Sequence, residues 1–420
     1  MREDEFRRQL GEASQAFGGC VAAIRDDLQL LRSPSVMMRL GQEAHDLETF
    51  LDDFGARQNR TFVTFGEMVA STRGLAVVGT TGLHLSQRLM RYQVLIDRGP
   101  LARDLEEGQR RLNVALGSLL SALILEGADL GCNWASSSAE DRTELPQRHL
   151  LPRNLDESDA VDERQHIAEI GARFLKVLET SRSLNLGFTR PRESLVAFVR
   201  DHATEERCRW YESTVHSIQS MYDTFVLNTV VERDHPWLAS LRGHVSVSLH
   251  LLEMATGLMH FYERHEGDVR HLPARTAIAA VVSELEILDI AVNVCLRHAY
   301  LYVEAASALA HQILQTFVSR ATVSLSMPPG ITLHARPLAL IVQIARHYGT
   351  PLDISLDGES CSANSLMSLI LLGGRHPRPQ QIRVNGDARA LRDLELLFAC
   401  GLGEQGLPLA PGLEYLRIGR

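Results

Sequence analysis

One histidine in the last quarter of the chain, His334, lies where a helix is predicted to begin. It is followed by Ala335, Arg336 and Pro337, and then by an apolar run that is typical of a helix. Proline fits the first helical turn, where its missing N–H would have had no partner. Free N–H groups and the positive end of the helix dipole gather there. An anion on this imidazole would therefore meet the backbone donors of Ala335 and Arg336 and a guanidinium, which predicts a histidine that carries phosphate.

A second group of chemically suggestive side chains lies in the middle of the chain. His250, Glu253, His260 and Glu263 repeat the order His-x-x-Glu, whereas metal-binding helical bundles usually use Glu-x-x-His. Glu253 and His260 share a helix face but lie about 10.5 Å apart along its axis, which is too far for one ion to join them. We interpret these four residues as surface or packing residues with local ion pairs. A metal site completed by another helix is the alternative.

Glycines recur between Phe62 and Ile96, in a stretch that otherwise has the pattern of a helix. Glycine weakens a helix unless a backbone or a ligand approaches closely. We interpret the glycines as sites of tight helix–helix packing and keep a ligand contact as the alternative. The stretch lacks the spacing of a phosphate-binding loop, and no nucleotide-binding motif occurs elsewhere. We therefore expect no cofactor.

Composition indicates a globular protein of two or three domains, since 45% of the 420 residues are hydrophobic and 23% are charged. The net charge of −9 argues against a nucleic-acid partner, which would need a basic surface. The six cysteines are scattered without a CxxC pair, as expected of reduced thiols. The N-terminus lacks the apolar core of a signal peptide, and no run approaches the roughly eighteen apolar residues of a membrane span. We expect a cytoplasmic protein without membrane insertion.

Helical periodicity dominates the first 320 residues. Residues 1–135 and 166–320 are predicted as parts of one helical bundle, or as two packed bundles. Between them, residues 136–165 are rich in Ser, Pro and acidic side chains, which predicts a linker or an exposed loop. Three long helices are expected in the second part, the last with an internal break: Leu195–Val231, Pro236–His265 and Ala274–Ser319.

Strand and helix signals alternate in residues 321–401, in the order β-α-β-β-α-β-α. Asp357–Gly358 is a hairpin turn signal between the second and third strands. The segments with the clearest boundaries are the strands Ala321–Met327, Pro351–Gly358 and Gln381–Asp387 and the last helix, Ala388–Cys400. The sequence thus predicts an all-α bundle followed by an α+β open-faced sandwich. The tail at residues 402–420 carries no signal that assigns it to either part.

Residues from about Ala321 to Gly401 resemble the histidine phosphocarrier protein HPr of the phosphoenolpyruvate-dependent sugar phosphotransferase system. The resemblance rests on two motifs in the right order and spacing, LHARP at Leu333–Pro337 and SANSLMSLILLG at Ser362–Gly373. It implies that His334 takes a phosphoryl group on Nδ1 from enzyme I and passes it to a further protein. It also implies that Arg336 accompanies the histidine. The helical region carries no such resemblance.

The second motif implies two further features of the family. Ser365 matches a serine that a dedicated kinase phosphorylates in many members as a regulatory mark. The alternative is an ordinary helix cap that is never phosphorylated. Leu366, Met367 and Ile370 match exposed apolar residues on which partner proteins dock, and methionine suits an adaptable interface.

Three functional hypotheses follow. The leading one is a phosphoryl carrier and regulatory protein of a phosphotransferase system, which is a phosphocarrier rather than a true enzyme, with a helical domain that regulates or docks. The first alternative is a regulatory binding module that reports its phosphorylation state without serving transport. The second is a metal- or ligand-binding helical bundle. Whether phosphate leaves His334 separates the first two, and metal content separates the third.

Overall fold

The computed structural model describes residues 2–134, 163–266, 272–376, 379–404 and 411–416. These residues form two compact units. The first holds the described residues of Met1–Leu155, Glu179–Ser217 and Arg242–Ala305, and the second those of Asp156–Leu178, Ile218–Leu241 and Ala306–Arg420. The predicted linker at 136–165 lies outside the described residues as far as residue 162. The predicted domain boundaries stay predictions.

Among the described residues up to Phe317, all regular structure is helical, as the periodicity predicts. In chain order the α-helices of this part are α1 (Glu3–Ala13), α2 (Gln15–Asp26), α3 (Pro34–Asp53), α4 (Val63–Arg88), α5 (Gly99–Asp129), α6 (Glu163–Arg182), α7 (Arg192–His202), α8 (Glu205–Phe225), α9 (Val230–Asp234), α10 (Trp237–Glu266), α11 (Leu272–Ala279), α12 (Glu284–Asp289), α13 (Arg297–Ala305) and α14 (Ser307–Phe317). A π-helical segment, Ile290–Leu296, joins α12 to α13.

The glycines of α4 allow close packing within the first unit. A Cβ added to Gly79 would lie 2.9 Å from Met37 Cε, and one added to Gly82 would lie 2.7 Å from Gln109 Oε1. A larger residue at either position would require the end of the Met37 or Gln109 side chain to move. Helix packing therefore accounts for these two glycines without a ligand.

Two of the long helices expected from the sequence are divided. The helix predicted over Leu195–Val231 is interrupted, because α7 ends at His202 and α8 begins after Thr204. The Thr204 hydroxyl accepts a hydrogen bond from the Arg207 N–H at 3.4 Å. A threonine that caps a helix in this way marks a new N-terminus. The break expected after Ala274 is present between α11 and α12.

Helix α5 corrects one expectation, because it is long and apolar enough to cross a membrane by length and composition alone. Only 33% of its apolar stretch is buried. The buried side includes Leu105, Leu112, Leu116 and Leu120, which lie in the core of the first unit. Core helices of globular proteins pass the same test, so composition does not decide between the two environments.

The C-terminal domain has the predicted order of elements. Its strands are β1 (Arg320–Ser326), β2 (Leu352–Leu356), β3 (Glu359–Ser362) and β4 (Gln381–Asp387), and its helices are α15 (Ala335–Tyr348), α16 (Leu366–Arg375) and α17 (Ala388–Ala399). The strands pair antiparallel in the spatial order β1-β4-β2-β3. The α+β open-faced sandwich is therefore confirmed.

Strand β4 shows why the helices cover one face of this sheet. Ile382, Val384 and Gly386 are buried, whereas Arg383 and Asn385, which lie between them, are exposed. Alternate residues of a strand point to opposite faces, so this pattern buries one face only. The buried face packs against apolar residues of the helices, among them Leu394 and Leu397.

The C-terminal tail packs on this same domain. Leu413 and Leu416 are 1% and 3% exposed and belong to its apolar core. The Tyr415 hydroxyl donates a hydrogen bond to Asp393 Oδ2 at 2.6 Å, and the Tyr415 ring stacks on His347. The sequence left the position of the tail open, and the structure assigns its described residues to the C-terminal domain.

Candidate functional site

His334 is the N-cap residue of α15, and its own ring contributes to the cap. Its backbone is extended, with φ −115° and ψ −179°, and its Nδ1 accepts a hydrogen bond from the Arg336 N–H at 3.4 Å. Pro337 has no N–H to offer, so the donors of the first turn are the amides of Ala335 and Arg336, of which the Arg336 N–H already donates to His334 Nδ1. The ring nitrogen Nδ1 therefore faces the backbone donors at the positive end of the helix.

The other ring nitrogen faces a residue that the sequence did not indicate. Glu404 Oε1 lies 3.0 Å from His334 Nε2, and Glu404 Oε2 lies 3.9 Å from Arg336 Nη1. The Arg336 contact is a long ion pair, and the His334 contact is one only when the imidazole is protonated. One carboxylate thus lies beside both residues of the predicted phosphate site.

A sharp turn after α17 brings Glu404 to this position. Gly401, Leu402 and Gly403 all have positive φ, of 65°, 53° and 77°. Leucine rarely adopts this left-handed conformation, and burial of its side chain, which is 0% exposed, holds it there. Two glycines around a leucine were the only signal of this turn in the sequence.

The predicted phosphate site is exposed at the surface of the domain. The side chain of His334 is 48% exposed and that of Arg336 is 52% exposed. Glu404, at 28%, is the more protected member of the group. A macromolecule can therefore reach the imidazole, while the carboxylate is held below the surface.

The second motif lies next to the first because a glycine allows it. A Cβ on Gly373, in α16, would lie 3.3 Å from both Cβ and the carbonyl oxygen of Leu333, the residue that precedes His334. Contacts this short leave little space for any side chain. Gly373 thus lets α16 pack directly against the segment that carries His334.

The predicted regulatory serine caps α16. Ser365 Oγ accepts hydrogen bonds from the Ser368 N–H at 3.2 Å and from the Ser368 hydroxyl at 2.9 Å. The residue is half-buried. Its hydroxyl has to leave this cap before it can receive a phosphate.

The predicted docking residues differ in exposure. Met367 is 67% and Ile370 37% exposed, whereas Leu366 is half-buried and packs against the core of the domain. Leu371, which the sequence analysis did not select, is 59% exposed on the same helix. The apolar surface of α16 therefore consists of Met367, Ile370 and Leu371.

The four metal candidates form two local groups, one between His250 and Glu253 and one in which His260 and Glu263 both contact Glu205. His250 Nδ1 lies 3.0 Å from Glu253 Oε2, His260 Nδ1 lies 2.9 Å from Glu205 Oε2, and Glu263 accepts a hydrogen bond from the Glu205 N–H. Among the described residues, no three His, Cys, Asp or Glu side chains are grouped as metal ligands. Arg264, next to Glu263 in the sequence, pairs instead with Glu67.

The comparison with protein families agrees with the geometry. Residues 320–399 match the family model described as "PTS HPr component phosphorylation site". The C-terminal domain is HPr-like, which supports a phosphocarrier-type role related to the phosphotransferase system and interaction with its phosphoryl donor and acceptor proteins in general. The helical region matches no family model. No solved structure matches the chain.

Proposed function

We propose that the chain is a phosphoryl carrier and regulatory protein that accepts phosphate on His334 from an enzyme I-like donor and passes it to a partner protein. The observation that carries this proposal is the position of His334. Its Nδ1 faces the first turn of α15, on an HPr-like domain, with its side chain half-exposed. The helical region regulates the carrier or docks its partners.

The transfer needs only groups that are present at the site. The lone pair on His334 Nδ1 attacks the phosphorus atom, and the bond from phosphorus to the donor breaks with its electron pair staying on the donor. The Ala335 and Arg336 amides and the Arg336 guanidinium steady the charge of the transferred group. Discharge is the reverse step, in which the acceptor attacks phosphorus and the pair of the N–P bond returns to Nδ1.

We assign partner docking to the apolar surface of α16, which is Met367, Ile370 and Leu371. Exposed apolar residues beside a reactive group are typical of protein–protein contacts. Because α16 packs against Leu333, a partner seated on this surface lies close to His334. Enzyme I-like donors and phosphoryl acceptors would share this surface.

Ser365 is the proposed regulatory site for a serine kinase. A phosphate there adds a charge of about −1.5 to −2 at pH 7. The N-terminus of α16 stabilises that charge, while the adjoining Met367 surface loses its apolar character. Phosphorylation of Ser365 would then weaken docking without touching His334.

The second candidate function is a regulatory module that reports its phosphorylation state and does not serve transport. It differs from the carrier only in that the phosphate stays on His334. The third hypothesis, a metal- or ligand-binding bundle, lacks a ligand cluster within the described ranges. Metal analysis of the purified protein tests it directly.

Phosphate incorporation into the full chain tests the carrier. Labelled phosphoenolpyruvate and enzyme I are supplied to the wild type, to His334→Ala and to His311→Ala, a control that removes an exposed histidine elsewhere. We expect acid-labile, base-stable label on the wild type and on His311→Ala and none on His334→Ala. Equal label on all three proteins would contradict the assignment of His334. Discharge to a phosphoryl acceptor then separates the carrier from the reporter.

A further inference from the structure

The contact between Glu404 and His334 leads beyond the carrier role itself. Each ring nitrogen of His334 faces a different kind of group. The Arg336 N–H can only donate a hydrogen bond, and an ionised Glu404 can only accept one. One tautomer suits both neighbours: Nδ1 keeps the lone pair that accepts from Arg336, and a proton on Nε2 lies next to the carboxylate 3.0 Å away.

The carboxylate has little else to bind. Glu404 Oε1 is shielded from solvent and has no hydrogen-bond partner in the described residues, although His334 Nε2 lies 3.0 Å away. A shielded carboxylate oxygen without a donor is costly. A proton on His334 Nε2, 3.0 Å away, places positive charge density beside this oxygen and so favours both groups.

The position of Glu404 is built by the fold rather than left to a mobile side chain. Leu402 and Gly403, just before it, are buried. Beyond it, Leu413 and Leu416 pack into the core, and Tyr415 is tied to Asp393. Glu404 also lies outside residues 320–399, which match the HPr family. It is therefore a feature of this chain that the family match does not supply.

We propose that Glu404 is a positioning residue for phosphoryl transfer at His334, on the premise of the carrier function proposed above. It fixes the tautomer that leaves Nδ1 free to attack. It also acts during the step, because bonding of Nδ1 to phosphorus puts positive charge on a ring that still holds the Nε2 proton. The nearby carboxylate stabilises that charge, as an acidic residue does for a catalytic histidine.

The same contact assists discharge. A ring that keeps its Nε2 proton takes back the electron pair of the N–P bond more readily, since it leaves as a neutral imidazole. Glu404 holds that proton on Nε2 in both directions. Its pairing with Arg336 at 3.9 Å also keeps the guanidinium near the site until phosphate arrives.

Nitrogen NMR of His334 in the unphosphorylated full chain tests the first half of the proposal. At a pH where the ring is neutral, we expect the wild type to show a protonated Nε2 and an unprotonated Nδ1. Glu404→Ala should shift both nitrogens towards a mixture of tautomers. Glu395→Gln, which removes an exposed carboxylate from the same domain, should leave the wild-type spectrum. An unchanged spectrum in Glu404→Ala would overturn the role of Glu404 in setting the tautomer.

Single-turnover phosphorylation by enzyme I tests the second half. We expect the maximal rate of Glu404→Ala to fall about tenfold, with Glu404→Asp between it and the wild type. The concentration of half-saturation should not change, because the docking surface is intact. A wild-type maximal rate in Glu404→Ala would refute the positioning role. If enzyme I labels no variant while the tautomer still depends on Glu404, the carrier function fails and the His334–Glu404 pairing holds.

Discussion

Replacing Tyr415 with phenylalanine should loosen the C-terminal tail without creating a cavity. The hydroxyls of Tyr415 and Tyr348 donate to the same oxygen, Asp393 Oδ2, at 2.6 Å and 2.7 Å. Asp393 is 8% exposed, so these two donors replace much of its hydration. Phenylalanine keeps the ring that stacks on His347 and removes only the hydroxyl.

The expected loss follows from the charge of the acceptor. A hydrogen bond to a charged group contributes about 1.5–3 kcal/mol, and a half-buried donor belongs at the lower end. We expect Tyr415→Phe to lower the free energy of unfolding of the domain by about 1.5 kcal/mol, and Tyr348→Phe by a similar amount. The double variant should lose more than the sum of the two, because it leaves a buried carboxylate without either donor.

Hydrogen exchange in the full chain measures these losses. Peptides from α15 and α17 should exchange faster in each variant, and fastest in the double variant. Tyr300→Phe is the control, since that hydroxyl pairs with Glu304 in the first unit. Full protection of α17 in Tyr415→Phe would refute the anchoring role of the tail. If the loss of stability in the double variant equals the sum of the losses in the two single variants, the shared acceptor is refuted.

The same pair predicts how stability depends on pH. Burial, and then the hydrogen bond to Asp393, raise the pKa of both Tyr348 and Tyr415 above the usual 10.0. The neutral hydroxyls are therefore favoured in the folded domain. The neutral hydroxyls contribute fully to the free energy of unfolding below pH 10, and this contribution is lost as the pH rises further. The two phenylalanine variants should therefore lose less stability above pH 10.

Three further predictions concern other parts of the molecule. Burial lowers the pKa of His244 to about 4 from 6.5, so roughly 3 kcal/mol of stability should be lost as the pH falls from 6.5 to 4. If His244→Leu unfolds in acid in the same way as the wild type, this prediction is contradicted. A Cβ on Gly386 would lie 2.6 Å from Leu352 Cδ1, so Gly386→Ala should lower the free energy of unfolding, measured by thermal unfolding, by about 1–3 kcal/mol. Gly374→Ala is the control and should lower it by nothing, because a Cβ there meets nothing within 4 Å. Met367→Asp should raise the half-saturating enzyme I concentration about tenfold, by roughly 1.4 kcal/mol of docking energy, and leave the maximal rate unchanged; a fall in that rate instead would mean that Met367 acts on the chemistry.

Local patterns were sufficient to predict the C-terminal fold. Strand alternation, the Asp357–Gly358 turn and the proline after His334 each depend on neighbouring residues. Asp357 and Gly358 do adopt positive φ, of 47° and 90°. The cap position of His334 followed from the same local rules.

The contacts of the tail could not be predicted in this way. Glu404 reaches His334 because Leu402 adopts a left-handed conformation that its own propensity disfavours. Burial in the assembled core compensates for that cost, and the core forms only when distant segments meet. The helix break after His202 was missed for a simpler reason. Threonine is tolerated inside a helix, so the sequence did not show that Thr204 caps the start of α8.

Phosphorus NMR of the full chain, after incubation with phosphoenolpyruvate and enzyme I, tests the central claim most directly. We expect one acid-labile phosphorus bound to Nδ1 of His334, lost in His334→Ala and removed when a phosphoryl acceptor is added. Phosphate on another residue, or no phosphate on a folded wild type, would contradict the assignment of His334 as the carrier.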